Sequence, residues 1–435
     1  MRTMSSPFAA LCALLALAAA AVQSAPTSQA PGEPEVGNAL TAEILALWVL
    51  EANAGIAAMQ ATAEVAAYRI EPAGSLDDPM LSYGVAPLTA GANRSLNQKV
   101  DVSQTIPWPG TLAARESAAR FDATAARREV DSLRLRVIAR AKSAYAEWRF
   151  VGEALDIHHA NRALLDELTA TAQTRYAAGR ALKQDVLQAE VERAELDNHL
   201  LRLLRQQITV QARINALLNR APDEHLPAAA PISPQPVPPT LEVLQARALA
   251  RHPELSRLDA ETSASESRVT LAEKAFFPSF QVGVGYDSLW DETDKRPLFG
   301  VSVNVPLDRG KRRSELDRAR AEMRRTKFSL SERRAELLAA LATARAEVIE
   351  AQVSVAFYED KLVPLAAEYL EAAIADYQSG AGAFLNVVTA EQRKLGTDLE
   401  LARVRADSVR RLAELELWAG GSLAGNSPTP TGAIR

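Results

Sequence analysis

The stretch PSFQVGV at residues 278–284 decides the fold of this chain, because the stretch PMLSYGV at residues 79–85 has the same pattern 199 positions earlier. A second pair follows at the same offset, with VSQTIP at residues 102–107 and VSVNVP at residues 301–306. Apolar side chains alternate with polar or small ones in these stretches, which is the pattern of a strand with one apolar face. The sequence therefore predicts a pair of amphipathic strands in each half of the chain.

Two further landmarks also occur twice, at an offset of 201. They are a Tyr-x-x-Gly element, at Tyr176–Gly179 and Tyr377–Gly380, and an (Asp/Asn)-Val-(Leu/Val)-x-Ala-Glu element that begins at Asp185 and at Asn386. Four landmarks in the same order, with a nearly constant offset, indicate duplication. We therefore predict two copies of one unit, at residues 39–219 and 240–420.

The four strands are expected at residues 79–87, 97–107, 279–287 and 298–306. One interpretation is a soluble hairpin in each copy that lies on a helical core with its apolar side inward. The other is a transmembrane hairpin with its apolar side toward lipid and its polar side toward a lumen. A tilted membrane strand needs about 9–11 residues, which these segments have. Four strands cannot close a barrel, so the second interpretation requires several chains.

Most of the remaining sequence is expected to be helical and rich in small residues that allow close helix packing. The expected helices cover residues 40–70, 110–175 and 184–218 in the first copy, and 241–275, 310–376 and 385–419 in the second. The middle helix of each copy would be ~100 Å long at 1.5 Å per residue.

The turns between the long helix and the returning helix form a tip in each copy. Gly179 and Gly380 are typical helix stops, because glycine adopts the left-handed conformation that ends many helices. Asp185 and Asn386 are expected to cap the amino termini of the returning helices.

The two ends and the centre of the chain have distinct compositions. Residues 1–24 have the pattern of a secretory signal peptide, with one charge at Arg2, an apolar run too short to span a bilayer, and small residues before the expected cleavage site. The Pro-rich stretch at 220–239 predicts an extended linker, because proline fixes φ and lacks a donor. Residues 421–435 are rich in Gly, Ser, Pro and Thr, and are expected to be disordered.

Composition argues against several functional classes. The net charge is −5, which provides no basic face for nucleic acid. A single cysteine excludes a disulfide framework and a cysteine-based zinc site. We find no nucleophile–base pair, phosphate loop or metal-ligand spacing, so the sequence predicts no enzyme activity, cofactor or metal site. Adjacent residues of a helix point about 100° apart, so His158 and His159 are not expected to chelate together and are predicted at the surface. Trp108, at a strand end, is predicted to be an interfacial anchor.

The doubled strand pairs and tip elements resemble the TolC-like outer membrane efflux proteins over about residues 39–420. The resemblance implies a mainly α fold with a small β part. Long coiled-coil helices would form a periplasmic tunnel, and four strands per protomer would join a trimeric 12-stranded β-barrel in the outer membrane. The segment QTIPWPG at residues 104–110 is most similar to the heavy-metal branch of the family, the CzcC- or CusC-like proteins.

The resemblance also implies a function and partners. The chain would be the passive exit duct of a tripartite efflux system, a homotrimer in outer membrane lipid that works with a periplasmic adaptor and an inner-membrane pump of the RND type. The implied cargo is heavy-metal cations, and a channel for type I secretion or drug efflux is the alternative. A soluble periplasmic coiled-coil adaptor is the alternative from another class, but it would have one helical hairpin flanked by split β-rich domains.

In the family, the helical tips close the periplasmic entrance and meet the adaptor. That role falls here on Tyr176, Gly179, Asp185, Tyr377, Gly380 and Asn386. The strand-to-helix turns fall on Pro107, Gly110, Pro306 and Gly310. TolC has a ring of acidic residues at its second tip, but Asn386 and Thr389 stand at the matching positions here. The resemblance therefore predicts no acidic ring at this tip, and Asp185 is the acidic residue available at the first.

Overall fold

The computed structural model describes residues 39–86, 97–233, 235–288 and 293–423, which belong to one compact unit, Asn38–Arg435. The predicted signal peptide and nearly all of the predicted disordered tail lie outside the described residues. The predicted linker at 220–239 contains no helix or strand among its described residues, apart from a single bridge between Leu40 and Ala229.

The opening helix of each half is broken, where the sequence predicted one continuous helix. The first half opens with α1 (Ala42–Ala52), α2 (Ala54–Tyr68) and α3 (Ile70–Gly74). The second half opens with α6 (Leu241–Arg251) and α7 (Pro253–Lys274). Asn53 ends α1, and its side chain accepts a hydrogen bond from the Ile56 amide to cap α2. Pro253 disfavours the helical conformation at the preceding residue, His252, so α6 ends there. The Nδ1 atom of His252 accepts a hydrogen bond from the Glu254 amide and caps α7.

Each half continues with a helical hairpin. In the first, α4 (Thr111–Ala177) has 67 residues, about 100 Å, and α5 (Lys183–Leu217) returns beside it. In the second, α8 (Arg309–Phe357), a π-helical turn (Tyr358–Leu362) and α9 (Val363–Ser379) precede the returning α10 (Phe384–Trp418). The predicted continuous helix at 310–376 is therefore interrupted. Pro364 has no amide hydrogen to donate and its ring crowds the carbonyl four residues earlier, so the wider turn before it relieves the clash.

The four strands form one antiparallel sheet in the order β1 (Met80–Ala86), β2 (Asn97–Ile106), β3 (Ser279–Asp287) and β4 (Pro297–Asn304). The pairing of β2 with β3 runs from Lys99 opposite Asp287 to Ile106 opposite Phe280, and it joins the two hairpins into a single layer. Strands β1 and β4 are the edges of this sheet.

Among the described residues, the buried core lies in the helices and in segments that connect them, such as Leu40 and Leu226, and not in the sheet. One apolar cluster packs α1 against α4, α5 and α10, a second packs the two hairpins together near their tips, and a third packs α6 and α7 against α8 and α10. No described strand residue is buried. Within the described chain, no single helix is long and apolar enough to cross a bilayer, and only Ala42–Ala52 taken with Ala54–Gly74, bent by 48°, has the length and composition.

Candidate functional site

The sheet presents one continuous apolar face, because its register aligns apolar residues across all four strands. One row of directly opposed residues is Leu81, Val102, Val284 and Phe299. These side chains are exposed, up to 85% for Phe299, and they do not pack on the helical core. The interpretation of a soluble hairpin with its apolar side inward is therefore wrong. Directly opposed residues share a face of a sheet, so the alternating pattern of each strand adds up to one apolar surface.

The opposite face of the sheet is polar. Lys99 and Asp101 lie 3.7 Å apart on β2, and Gln281 on β3 donates a hydrogen bond of 2.9 Å to the Ser103 hydroxyl. Gly285 faces the backbone of β2 so closely that a Cβ atom there would lie 3.0 Å from the Val100 carbonyl oxygen. Small and polar residues thus line one side of the layer while apolar residues cover the other, which is the division that a membrane strand requires.

Aromatic rings mark the junction between the sheet and the helices. Trp108 follows β2 and stacks on Phe277 at 4.9 Å and on Phe280 at 6.2 Å between ring centroids. Pro107 lies in the same turn, and Gly110, with φ of 85°, caps α4. Only glycine adopts that left-handed conformation without a steric penalty. The ring stack fastens the first strand-to-helix turn to the beginning of β3.

The second strand-to-helix turn has a different construction. Pro306 lies between β4 and α8, but Gly310 lies in the first turn of α8 and not in the connecting turn. Asp308 is the reason, because its Oδ1 accepts a hydrogen bond of 2.9 Å from the Lys311 amide and starts the helix before Gly310. Equivalent positions in the sequence therefore do not perform equivalent structural roles.

Both helical tips contain a glycine with a positive φ, 71° at Gly179 and 87° at Gly380. These residues follow the last turns of α4 and α9, as expected of helix stops. The prediction that Asp185 and Asn386 are amino-terminal caps is wrong. Leu182 and Ala383 occupy the cap positions without a side-chain hydrogen bond, and the helices begin at Lys183 and Phe384, two residues before the polar side chains.

The two tips are fastened to each other by Arg175 of α4. Its guanidinium lies 4.7 Å from the ring centroid of Tyr377, and its Nη1 donates a hydrogen bond of 2.8 Å to the Gln378 carbonyl. The Tyr377 ring also has an apolar neighbour, because it makes an edge contact with Phe384, with 5.2 Å between the ring centroids. Tyr377 is consequently 4% exposed, whereas its counterpart Tyr176 is 47% exposed. Burial, and secondarily the nearby Asp185 carboxylate, raises the pKa of Tyr377.

A buried polar layer separates the tip cluster from the apolar cluster above it. The Asn161 amide on α4 donates a hydrogen bond to the Glu391 carboxylate on α10, which is 2% exposed. Burial raises the pKa of Glu391, and the neighbouring Glu192 carboxylate adds to this effect. Glu391 ends the second (Asp/Asn)-Val-(Leu/Val)-x-Ala-Glu element, but the pattern does not reveal its burial, and Glu190 at the end of the first such element is exposed.

His158 belongs to the same layer. The prediction that it lies at the surface is wrong, because α5 covers it and it is only 4% exposed, with its ring 6.1 Å from that of His199. Burial lowers the pKa of His158, and the charges of His199 and His159 lower it further. His159 is exposed as predicted. Among the described residues, no three His, Cys, Asp or Glu side chains are placed to hold a metal ion together.

A four-stranded antiparallel sheet with an exposed apolar face, continued by two long helical hairpins, is the fold of the TolC-like outer membrane channels. Residues 244–421 match the family model of the outer membrane efflux proteins. The match covers this part of the chain, and together with the shared fold it confirms the resemblance predicted from the sequence.

Several solved membrane proteins share the fold. VceC from Vibrio cholerae is 19% identical with a TM-score of 0.75, over 88% of this chain and 96% of that one. The CmeC channel from Campylobacter jejuni is 12% identical with a TM-score of 0.76, over 94% and 95%. CusC is 16% identical with a TM-score of 0.75, over 88% and 92%. Likeness at these identities establishes the fold alone, and no curated protein matches the chain in sequence.

Proposed function

We propose that the chain is the passive exit duct of a tripartite efflux system, a homotrimer whose sheet lies in the outer membrane and whose helices extend into the periplasm. The observation that carries the proposal is the exposed apolar face that continues across all four strands. Such a surface is stable in lipid and a liability in water. A soluble periplasmic adaptor has no use for it, so the duct is the better hypothesis.

The arrangement of the two halves favours a ring of copies. The sheet ends with β1 of the first half at one edge and β4 of the second half at the other. The helices follow the same order, because α4 and α10 pack together in the centre and leave α5 on one flank and α8 with α9 on the other. A head-to-tail interface would thus place first-half elements beside second-half elements of the next copy, and it generates a ring when the rotation closes. Three copies would supply twelve strands without an open edge in lipid.

Both flanks also expose apolar side chains at helical spacing. The residues on the flank of α5 are Leu187, Val191, Leu201, Leu204 and Ile208, and those on the other flank are Val353, Phe357, Leu365 and Tyr369. The two sets begin at comparable distances from the tips. We propose that they meet between neighbouring copies, as facing stripes of a coiled coil do.

Cysteine cross-linking tests this assembly directly. The single native cysteine, Cys12, lies in the predicted signal peptide, so an introduced pair would be free of background in the exported chain. Leu201 and Phe357 each lie about 30 Å from a tip at 1.5 Å per residue. We expect a Leu201→Cys, Phe357→Cys variant to give disulfide-linked trimers in the outer membrane fraction, while each single variant gives none. A soluble periplasmic monomer would overturn the proposal.

The tips are proposed to dock the adaptor and to gate the conduit by an iris-like movement. Tyr176, Gly179 and Asn386 would offer the exposed surface, with the half-buried Asp185 beside them, while Tyr377 would act from inside through its contact with Arg175. No reaction is assigned to the chain. An RND pump is proposed to drive the cargo, and the duct would only conduct it.

Heavy-metal cations are the proposed cargo, on the basis of the QTIPWPG segment at residues 104–110. The alternatives within the class are type I protein secretion and drug efflux. Deletion of the gene separates them, because loss of resistance to divalent metals alone supports metal export. A gain of sensitivity to hydrophobic drugs alone would favour the drug channel, and loss of a secreted protein would favour type I secretion.

A further inference from the structure

The start of α8 is far more basic than the rest of the chain. Residues 309–327 contain nine Lys and Arg but three Asp and Glu, although the whole protein has a net charge of −5. Five of these cations are exposed and form no ion pair with any described residue: Arg309, Lys311, Arg313, Arg318 and Arg324. We call these five residues the basic collar.

The basic collar begins where the apolar sheet ends. Val305 and Leu307 follow β4, and both side chains are exposed, with 86% of Leu307 accessible. The apolar surface therefore continues as far as Leu307, two residues before Arg309. The ion pair of 3.2 Å between Arg320 and Glu273 places the end of α7 beside that part of α8. Residues 309–318 therefore extend about 15 Å from that level toward the sheet. Cations beside an apolar band that also carries aromatic rings are typical of a membrane–water interface.

The first copy offers a direct contrast at the same level. The start of α4 has fewer cations without a partner: Arg120 pairs with Glu116 at 2.6 Å, Arg268 of α7 pairs with Asp122 at 2.6 Å, and Arg115 is exposed without an ion pair to a described residue. Cations in the first turn of a helix are also disfavoured by the helix dipole. Arg309 and Lys311, in the first turn, thus gain nothing from the dipole of their own helix, and none of the five collar residues pairs with a described carboxylate. Their positive charges are available to a negative partner outside the chain.

We propose that the basic collar binds the phosphate headgroups of anionic phospholipids in the leaflet around the lower end of the sheet. The inference rests on the proposed function, because that function places the sheet in a membrane. Positive side chains attract anionic headgroups, and exposed Val305 and Leu307 would contact the acyl chains. This combination distinguishes a lipid from a free phosphate ion, which has no apolar part.

Native mass spectrometry of the detergent-solubilised full-length protein tests the proposal. Wild-type protein is titrated with phosphatidylglycerol and, separately, with neutral phosphatidylcholine. We expect bound phosphatidylglycerol to predominate, and an Arg309→Gln, Lys311→Gln, Arg313→Gln variant to lose about tenfold or more of this preference, as expected for three interfacial charges. The matched control is Arg202→Gln, Arg205→Gln, Arg213→Gln, which removes three exposed charges from α5, about 50 Å or more from the sheet. The control should keep the wild-type preference.

Four outcomes would overturn the proposal. The first three are the absence of a phosphatidylglycerol preference in wild type, its retention in the collar variant, and complete displacement of the lipid by excess inorganic phosphate. Altered ion selectivity with unchanged lipid binding would also overturn it, because the collar would then face the conduit. The same samples are examined for trimers and for conductance in neutral bilayers. Conducting trimers without lipid preference would leave the proposed function intact, whereas a wild-type protein that forms no channel would contradict that function.

Discussion

The guanidinium of Arg175 lies 4.7 Å from the ring centroid of Tyr377, and this contact joins the tip of the first helical hairpin to the tip of the second. The hydrogen bond from Arg175 to the Gln378 carbonyl strengthens the same junction. A cation that covers a buried ring and also bonds to a helix end restrains both hairpins. The tips are therefore a joint structure rather than two independent turns.

Removal of Arg175 should loosen the second tip. We expect Arg175→Ala to lower its local stability by about 1–2 kcal/mol, from the lost cation–π contact and hydrogen bond. Hydrogen exchange of the backbone amides at 376–382 measures this directly. Arg175→Lys keeps the charge but cannot reproduce the planar contact, so its exchange rates should lie between those of wild type and Arg175→Ala. Unchanged exchange in the alanine variant would show that the tips are held by the apolar cluster alone.

Gly380 should tolerate asparagine and reject a bulky charge. Its φ of 87° disfavours most side chains, but Asn enters this region more readily than other residues. If the tips dock the adaptor, Gly380→Glu should abolish export while trimers still form, and Gly380→Asn should retain most export. Resistance assays measure export, and gels that detect the heat-labile trimer measure assembly of the same variants. Normal resistance with Gly380→Glu would argue against docking at this tip.

Glu391 should make stability depend on pH. Burial raises the folded pKa of its carboxyl above the ordinary value of 4.5, so its stabilising effect is complete below that value and is lost as pH rises through the folded pKa. Glu391→Gln keeps an acceptor for Asn161 without a charge. The variant should therefore gain thermal stability relative to wild type as pH increases from about 4.5 to 7. A constant difference in melting temperature across that range would contradict this account.

His158 should make stability depend on pH in the opposite direction from Glu391. Its folded pKa is lowered below the ordinary value of 6.5, so the contribution of the neutral ring is lost as pH falls from that value through the folded pKa. We expect His158→Gln to reduce the fall in melting temperature between about pH 6.5 and 5. His159→Gln changes the adjacent exposed ring and serves as the matched control, with a profile like that of wild type.

Lys142 and Glu416 form a largely buried ion pair of 2.7 Å between α4 and α10. We expect Lys142→Met alone to destabilise the helical part by about 3–5 kcal/mol, because it leaves a buried carboxylate without its partner. Lys142→Met with Glu416→Leu should recover much of that loss. The exposed pair of Arg193 and Asp166 is the control, and Arg193→Ala should cost about 0–1 kcal/mol. Guanidinium denaturation followed by circular dichroism measures all four proteins.

Much of the architecture could be predicted from periodicity. The periodicity predicts returning helices at 184–218 and 385–419, and they occupy 183–217 and 384–418. The two-residue alternation of apolar with polar or small residues likewise predicts strands such as β3. The breaks at Asn53 and His252 were missed, because a local cap and a following proline end a helix without changing its apolar pattern.

The candidate site was only partly predictable, for a different reason. Positions that the predicted repeat makes equivalent meet different neighbours, so Tyr176 is exposed while Tyr377 is buried, and Glu190 is exposed while Glu391 is buried. The repeat pattern assigns such pairs the same role. Only the packing of α4 against α10 distinguishes them, because burial depends on residues far away in the chain.

The sequence by itself determined the elements of this protein: amphipathic strands, long alanine-rich helices and glycine turns, each set by local spacing and backbone preference. The tertiary structure decided what the elements face. Pairing of β2 with β3 merged two hairpins into one sheet whose apolar side is exposed, which the alternation of a single strand left open. The same packing placed Arg175 over Tyr377 and buried Glu391, since contacts between distant segments arise only when the hairpins come together.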